Sequence, residues 1–265
     1  MPKNILAISE GGPDAVPSFR LAVRAAALFD GTVDAIHFAE GRRHELDITS
    51  QSMPFMGKIA DDRLAERERE SRRAWKEIQQ LAGGSLTDVE GVSLAQLVKL
   101  GRFADLLVIG RPGTDPDNIA PETVKAALYE CARPVLIAPP RLEKQSLSNV
   151  VVAWNGSQQA ARAVDYAMPF LEKASKVTVV ASGETAGLLT WFARHGVKVE
   201  VTTSDHHDLS GRARGRALID IARAQGAELL VMGAYGHGGL SNFLGLGGAT
   251  AKVISSCPVP LLLAH

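Results

Sequence analysis

The sequence has little cysteine, no excess charge of either sign and no long apolar run. Two cysteines occur in 265 residues, and their spacing is not that of a metal ligand set. That excludes a disulfide framework and leads us to expect a reduced, cytoplasmic protein. Lys and Arg total 29 and so do Asp and Glu, so the formal net charge is zero. The totals therefore offer no electrostatic footprint for nucleic acid or an anionic membrane surface. No apolar stretch approaches the roughly 20 residues of a membrane span. The apolar run after Met1-Pro2-Lys3-Asn4 is too short for a signal peptide. Gly-x-x-x-x-Gly-Lys is absent, so there is no P-loop. Gly-x-Ser-x-Gly is absent too, and Ser157 has no base beside it, which leaves a hydrolase triad unsupported.

What is abundant is glycine, in one place. Seven glycines fall between Gly233 and Gly248. The apolar run 229–232 before them reads as a buried strand, and 249–256 after them as a helix. Strand, glycine loop and helix N-terminus together expose backbone N–H groups to an anion such as phosphate. A plain surface loop would leave the same signature.

The chain repeats itself. Asn149-Val150-Val151-Val152-Ala153-Trp154-Asn155-Gly156 echoes Asn4-Ile5-Leu6-Ala7-Ile8-Ser9-Glu10-Gly11 at an offset of 145. Ala227 to Gly233 echoes Ala104 to Gly110 at 123, and Cys257 to Ala264 echoes Cys131 to Ala138 at 126. Three echoes in one order are an internal duplication. The first half is 22 residues longer between its first and fourth strands, matching an excursion over 41–59. We place the domains at 1–142 and 149–265, with a polar, proline-containing linker between them.

In the first half the patterns predict strands over 4–9, 32–39, 86–89, 104–110 and 134–138 and helices over 15–29, 60–81, 93–100 and 122–131. In the second half they predict strands over 150–154, 176–181, 197–202, 229–232 and 259–264 and helices over 157–174, 185–195, 210–224 and 249–256. Strands that are apolar throughout and alternate with helices make a doubly wound parallel sheet covered on both faces. Ligands of such sheets bind at the carboxyl ends of the strands, where the strand order reverses.

The fourth strand followed by Gly233-x-x-Gly236, a spacer, a small-residue pair and Cys257-Pro258-Val259-Pro260 resembles the universal stress protein family. So does the opening Val152-Ala153-Trp154-Asn155-Gly156-Ser157. Because both halves are covered, the chain resembles a tandem member. The resemblance implies an α/β fold of two tandem doubly wound, five-stranded parallel-sheet domains, order 3-2-1-4-5, of the adenine nucleotide α-hydrolase type. It also implies that the last strands pair as in the family's dimer, here within one chain as an intrachain pseudo-dimer, with a homodimer open as well. ATP with Mg would be the ligand. Carried over onto this chain, the nucleotide contacts are Asn155, Gly156, Ala181, Met232, Gly233, Gly236, His237, Gly247, Gly248 and Ala249. The chain departs from the family's ATP pattern at three points. Asn155 stands where Asp is usual, the spacer from His237 to Leu246 has ten residues rather than nine, and Gly248 replaces a hydroxyl residue.

Each of these residues has a plainer role open to it. Asn155 reads either as a bond to a ribose or phosphate through water or as a turn former with Ser157. In the first half the repeat offset sets Pro121-Glu122 opposite Gly247-Gly248, where proline gives no N–H and the carboxylate repels phosphate. Glu10 takes the place of the family's Asp there. That half is expected to be structural and not to bind ATP. Asp205-His206-His207-Asp208 lacks a third metal ligand, and Asp208 or Ser210 reads better as a helix cap. Cys131 and Cys257 read as packing residues. The charge run 61–73 reads as a solvated helix face held by i,i+4 pairs.

The functional expectation is a stress-response sensor or partner-binding protein with an adenine-nucleotide site in its second half, and at most slow ATP hydrolysis. Two alternatives stay open. One is a scaffold without nucleotide, or with an apolar ligand in the cleft under 41–59. The other is an adenylating enzyme of the nucleotide α-hydrolase group.

Overall fold

The computed structural model describes residues 1–38, 56–81, 86–87, 93–112, 118–142, 146–204, 209–235 and 248–265. They form two compact units, Met1–Arg133 and Pro134–His265. Gly236, His237, Gly247, the Asp205 to Asp208 cluster and residues 39–55 of the excursion lie outside the described residues.

In the first unit β1 (Asn4–Ser9), α1 (Ala15–Phe29), β2 (Thr32–His37) and α2 (Met56–Ile78) come first. Then follow β3 (Leu86–Thr87), α3 (Leu94–Phe103), β4 (Leu106–Ile109) and α4 (Pro121–Lys125). The strands run in the order β3-β2-β1-β4, all parallel, with Ile5 opposite both Val33 and Leu106. Every residue of β4 is buried, as a strand covered on both faces must be. Phe19 of α1 meets Trp75 of α2 edge to face at 5.3 Å between ring centroids. Ser93 caps α3 through a capping box with Gln96.

Two expectations need correcting here. Residues 56–59 belong to α2, not to the excursion: helix propagation overrides the weak propensity of Gly57. The helix expected over 122–131 is α only to Lys125. It continues as a π-helical stretch, Ala126–Glu130.

The second unit holds β5 (Val135–Ile137), β6 (Asn149–Trp154), α5 (Gln158–Lys173), β7 (Lys176–Ala181) and α6 (Ala186–Arg194). After these come β8 (Glu200–Thr203), α7 (Gly211–Ala224), β9 (Leu229–Gly233), α8 (Ala249–Ser256) and β10 (Leu261–Ala264). The order β10-β9-β6-β7-β8 is parallel and is the expected 3-2-1-4-5 arrangement read from the other edge. β5 pairs antiparallel with β10, Leu261 opposite Ile137 and Leu263 opposite Val135. The last strand of the first repeat is thus hydrogen-bonded to the last strand of the second, as the family resemblance implies. β8 is mostly exposed and begins at Glu200, three residues later than expected, because an edge strand buries less than a central one.

The duplication extends to a polar staple. Asp105 accepts hydrogen bonds from the backbone N–H groups of Lys3 (2.8 Å) and Asn4 (2.9 Å). Glu228 does the same for Ser148 (2.8 Å) and Asn149 (3.2 Å), and also accepts from the Ser146 and Ser148 hydroxyls. Each carboxylate ties the entry of its unit's first strand to that of the fourth. Partial burial pushes the Glu228 carboxyl up, but these hydrogen bonds outweigh it and hold the group down at about 2. Asp105 is held below its ordinary value in the same way, its backbone hydrogen bonds outweighing desolvation.

Candidate functional site

In the second unit β6 to β9 all end on one side of the parallel sheet. A cavity of about 350 Å³ opens there, lined by Ala153, Trp154, Asn155, Val180, Ser182, Ser204, Arg214, Leu218, Met232, Gly233 and Ala249. Of the ten residues carried over by resemblance, it brings together Asn155, Met232, Gly233 and Ala249. Gly156, Ala181 and Gly248 are not among the lining residues. Gly236, His237 and Gly247 lie outside the described residues.

Each of these residues is placed by local chemistry. Asn155 accepts a hydrogen bond from Ser157 N (3.1 Å) through Oδ1, so the turn-forming role is real. Its amide NH₂ remains as a donor. Gly156 follows at φ +71°, a conformation glycine takes without strain. Ser157 then caps α5, accepting from Ala160 N (3.2 Å). Trp154 donates from Nε1 to Glu184 O (3.0 Å), which fixes the indole on the cavity wall.

Gly233 differs from expectation. A Cβ there would lie 2.5 Å from Ala160 N and 2.6 Å from Gln159 C. The missing side chain admits the start of α5, so helix packing accounts for this glycine without any polyphosphate. Gly110, its counterpart in the first unit, stands in the same relation to Asp14 at the start of α1. Around Gly248, by contrast, a Cβ would meet none of the described residues within 4 Å. Gly248 is the N-cap of α8, and among the described residues no side chain caps that helix. Thr250, the second residue of α8, accepts from Tyr235 N (3.3 Å), where Tyr235 is left-handed at φ 55°.

Sequence reasoning missed Ser182, Ser204 and Arg214. Ser182 and Ser204 stand one residue past β7 and β8, and the rule that ligands sit at strand carboxyl ends reaches both of them. Arg214 lies in the first turn of α7, beside Gly215. A Cβ on Gly215 would lie 2.7 Å from Ala249 O and 2.9 Å from Lys252 Cβ, so α7 sits tightly against the first turn of α8. A glycine inside a helical pattern is the signal that could have found this contact.

The equivalent place in the first unit is filled by the protein itself. Glu10 stands 145 residues before Asn155 and is only 1% exposed. Its carboxylate accepts from Ala120 N (3.0 Å) and from the Thr123 hydroxyl, so it sits on the N-terminus of α4 where an anion is favoured. Glu122 stands exposed in the first turn of α4, and the buried carboxylate at that helix end is Glu10. The register also changes. Ala120, not Glu122, is the N-cap equivalent to Gly248, and the π-helical stretch absorbs the two extra residues before Cys131. Above Glu10, α2 covers the end of β1. Arg67 Nε donates to Glu10 O (2.7 Å), Gly12 N donates to Glu70 (2.7 Å), and Ser71 Oγ bonds to Ser9 Oγ (2.8 Å) and His37 Nδ1 (2.9 Å). Parts of the charge run therefore face inward, while Arg72–Glu68 and Arg69–Glu66 pair along the helix as expected.

Among the described residues no group of three His, Cys, Asp or Glu is placed to hold a metal ion, and no helix is long and apolar enough to cross a membrane. Ser210 caps α7, accepting from Ala213 N (3.4 Å). Cys131 and Cys257 are buried free thiols. Burial pushes Cys131 up to about 11, which leaves it protonated and inert near neutral pH.

Comparison with known proteins agrees with this geometry. Residues 193–265 match the model of the universal stress protein family. A universal stress protein from Archaeoglobus fulgidus DSM 4304 shares the fold at 14% identity and a TM-score of 0.60, covering 99% of this chain and 96% of its own. A second universal stress protein from Archaeoglobus fulgidus is 18% identical, with a TM-score of 0.36, over 52% of this chain and 98% of its own. A universal stress protein solved in complex with cAMP is 22% identical, with a TM-score of 0.33, over 44% and 96%. No curated protein is significantly similar to the chain. Residues 193–265 thus match the universal stress protein family model, on a fold that the chain shares over its whole length with a universal stress protein.

Proposed function

We propose that the second unit binds an adenine nucleotide at the carboxyl ends of β6 to β9, and that occupancy of this site governs a stress-response or partner-binding role. The observation that carries this reading is the 350 Å³ cavity, which gathers Asn155, Met232, Gly233 and Ala249 from three separate stretches of chain. Its size falls in the range of small-ligand sites. Apolar walls (Ala153, Trp154, Val180, Leu218, Met232) suit a base, and Asn155, Ser182 and Ser204 suit a sugar.

The first unit is the silent partner: Glu10 occupies the helix end that a phosphate would need. The two domains run over 1–142 and 149–265, with β5 belonging to the first repeat although it packs in the second unit. Among the described residues that line the cavity there is no general base or activated nucleophile, which supports a binding role.

The test is to release ligand from freshly purified protein with acid, identify it by mass spectrometry, and titrate the emptied protein with Mg-ATP by calorimetry. An adenine nucleotide in the extract and saturable heat are expected. An empty extract with no heat at millimolar ATP would sink the reading.

A further inference from the structure

We infer that Arg214 pairs with the phosphate of the bound nucleotide, and that the second unit holds this anion without a divalent cation. The inference rests on the nucleotide reading above and names the group that carries its charge.

The polar lining of the cavity is Asn155, Ser182, Ser204 and Arg214. No carboxylate is among these residues. Asn155 is neutral where the repeat has Glu10, and its Oδ1 is already engaged by Ser157 N, leaving two N–H donors. Arg214 adds a guanidinium with five donors and a permanent charge. Among the described residues no acceptor pairs with it. The wall is therefore rich in donors, positive and, among the described residues, without a carboxylate. Magnesium needs oxygen ligands, usually carboxylates, to join it to phosphate. Among the described residues this wall provides no carboxylate. An acceptor-rich anion is the matching occupant.

Arg214 is held in place by its neighbour. The close approach of Gly215 to Ala249 and Lys252 sets α7 against the first turn of α8, so Arg214 and Ala249 share one wall of the cavity. A phosphate between them meets the guanidinium on one side and the uncapped first turn of α8 on the other. At about 350 Å³ the cavity has room for a nucleoside monophosphate.

The test titrates the full chain with AMP and with adenosine, each in Mg²⁺ and in EDTA, for the native protein and for Arg214→Ala and Arg214→Lys. Arg214 is exposed, so unchanged melting temperatures will confirm that the variants fold. AMP should bind the native protein equally, within about twofold, with and without Mg²⁺. Arg214→Ala should weaken AMP by roughly 10- to 100-fold, the usual range for a hydrogen bond to a charged group, and leave adenosine within about twofold. Arg214→Lys should fall between, keeping charge without the fork. Equal losses for AMP and adenosine, no loss for either, or a Mg²⁺ requirement would overturn the role of Arg214 while leaving the nucleotide site intact. If neither ligand binds the native protein, the nucleotide reading falls and this inference falls with it.

Discussion

Glu10 and Asn155 occupy the same position of a repeated sequence, yet one is buried and the other exposed. Their following glycines sharpen the contrast. Gly11 and Gly156 share a left-handed backbone, at φ +80° and +71°. Gly11 lies hard against the backbone of Arg67 in α2, whereas around Gly156 there is open space. The same strand end is roofed and internally capped in one unit and opens on a cavity in the other. Duplication supplied two equal helix ends. One extra methylene and a second carboxylate oxygen let the first satisfy itself, and a neutral amide left the second in need of a partner.

The comparison breaks most severely at Glu10. Glu10→Ala should leave Ala120 N and Thr123 without their acceptor and open a hole at the end of α4, destabilising the first unit by about 2–3 kcal/mol. Chemical denaturation checks this, and acetate should recover part of the loss by taking the vacated place. Asn155→Ala, its counterpart, should cost well under half as much, since it loses one exposed turn bond. Equal costs would erase the difference between the two sites. Next, Gly233→Ala should destabilise by about 2 kcal/mol through the clash with Ala160 and Gln159, and should weaken the ligand by shifting the end of β9. Gly248→Ala should be tolerated.

A smaller effect concerns what the units share. Glu228→Gln should cost on the order of 1 kcal/mol at neutral pH, a figure discounted for solvent screening of a partly exposed carboxylate. Because folding lowers this group from 4.5 to about 2, its contribution is complete above pH 4.5 and fades as pH falls toward 2. Urea unfolding of variant and native protein should therefore converge across that window. Smallest of all, Gly248→Ser should fit the open space at the N-cap and cap α8, raising stability by a few tenths of a kcal/mol. By adding a hydroxyl at the cavity rim it should also tighten ATP a few-fold, read by calorimetry.

The fold was legible because apolar strands and the offsets of 145, 123 and 126 are one-dimensional signals that burial imposes directly. Helix α8 was read at its observed bounds, and β6 within one residue. The site was half legible. Asn155, Gly233 and Ala249 sit beside strand ends and inherit their place from topology. Arg214 enters from a helix and joins the cavity through a contact between Gly215 and Ala249 whose one trace in the sequence is a glycine inside a helical pattern. The inward turn of Arg67, Glu70 and Ser71 was hidden for a related reason: a charged helix looks solvated unless its partner strand is known. The π-helical stretch was invisible because counting residues back from Cys131 assumes a constant rise.

The pairing of β5 with β10 has a consequence for taking the protein apart. A chain cut between Arg141 and Ser146 keeps Val135–Ile137 laced to Leu261–Ala264 by backbone hydrogen bonds. The two fragments should migrate together on a sizing column and separate only in denaturant. Starting a shortened chain at Asn149 instead would bare one whole edge of β10, an apolar strand whose free amides would seek another copy of themselves. The natural seam of this molecule for a surgeon is therefore not the one its duplicated sequence suggests.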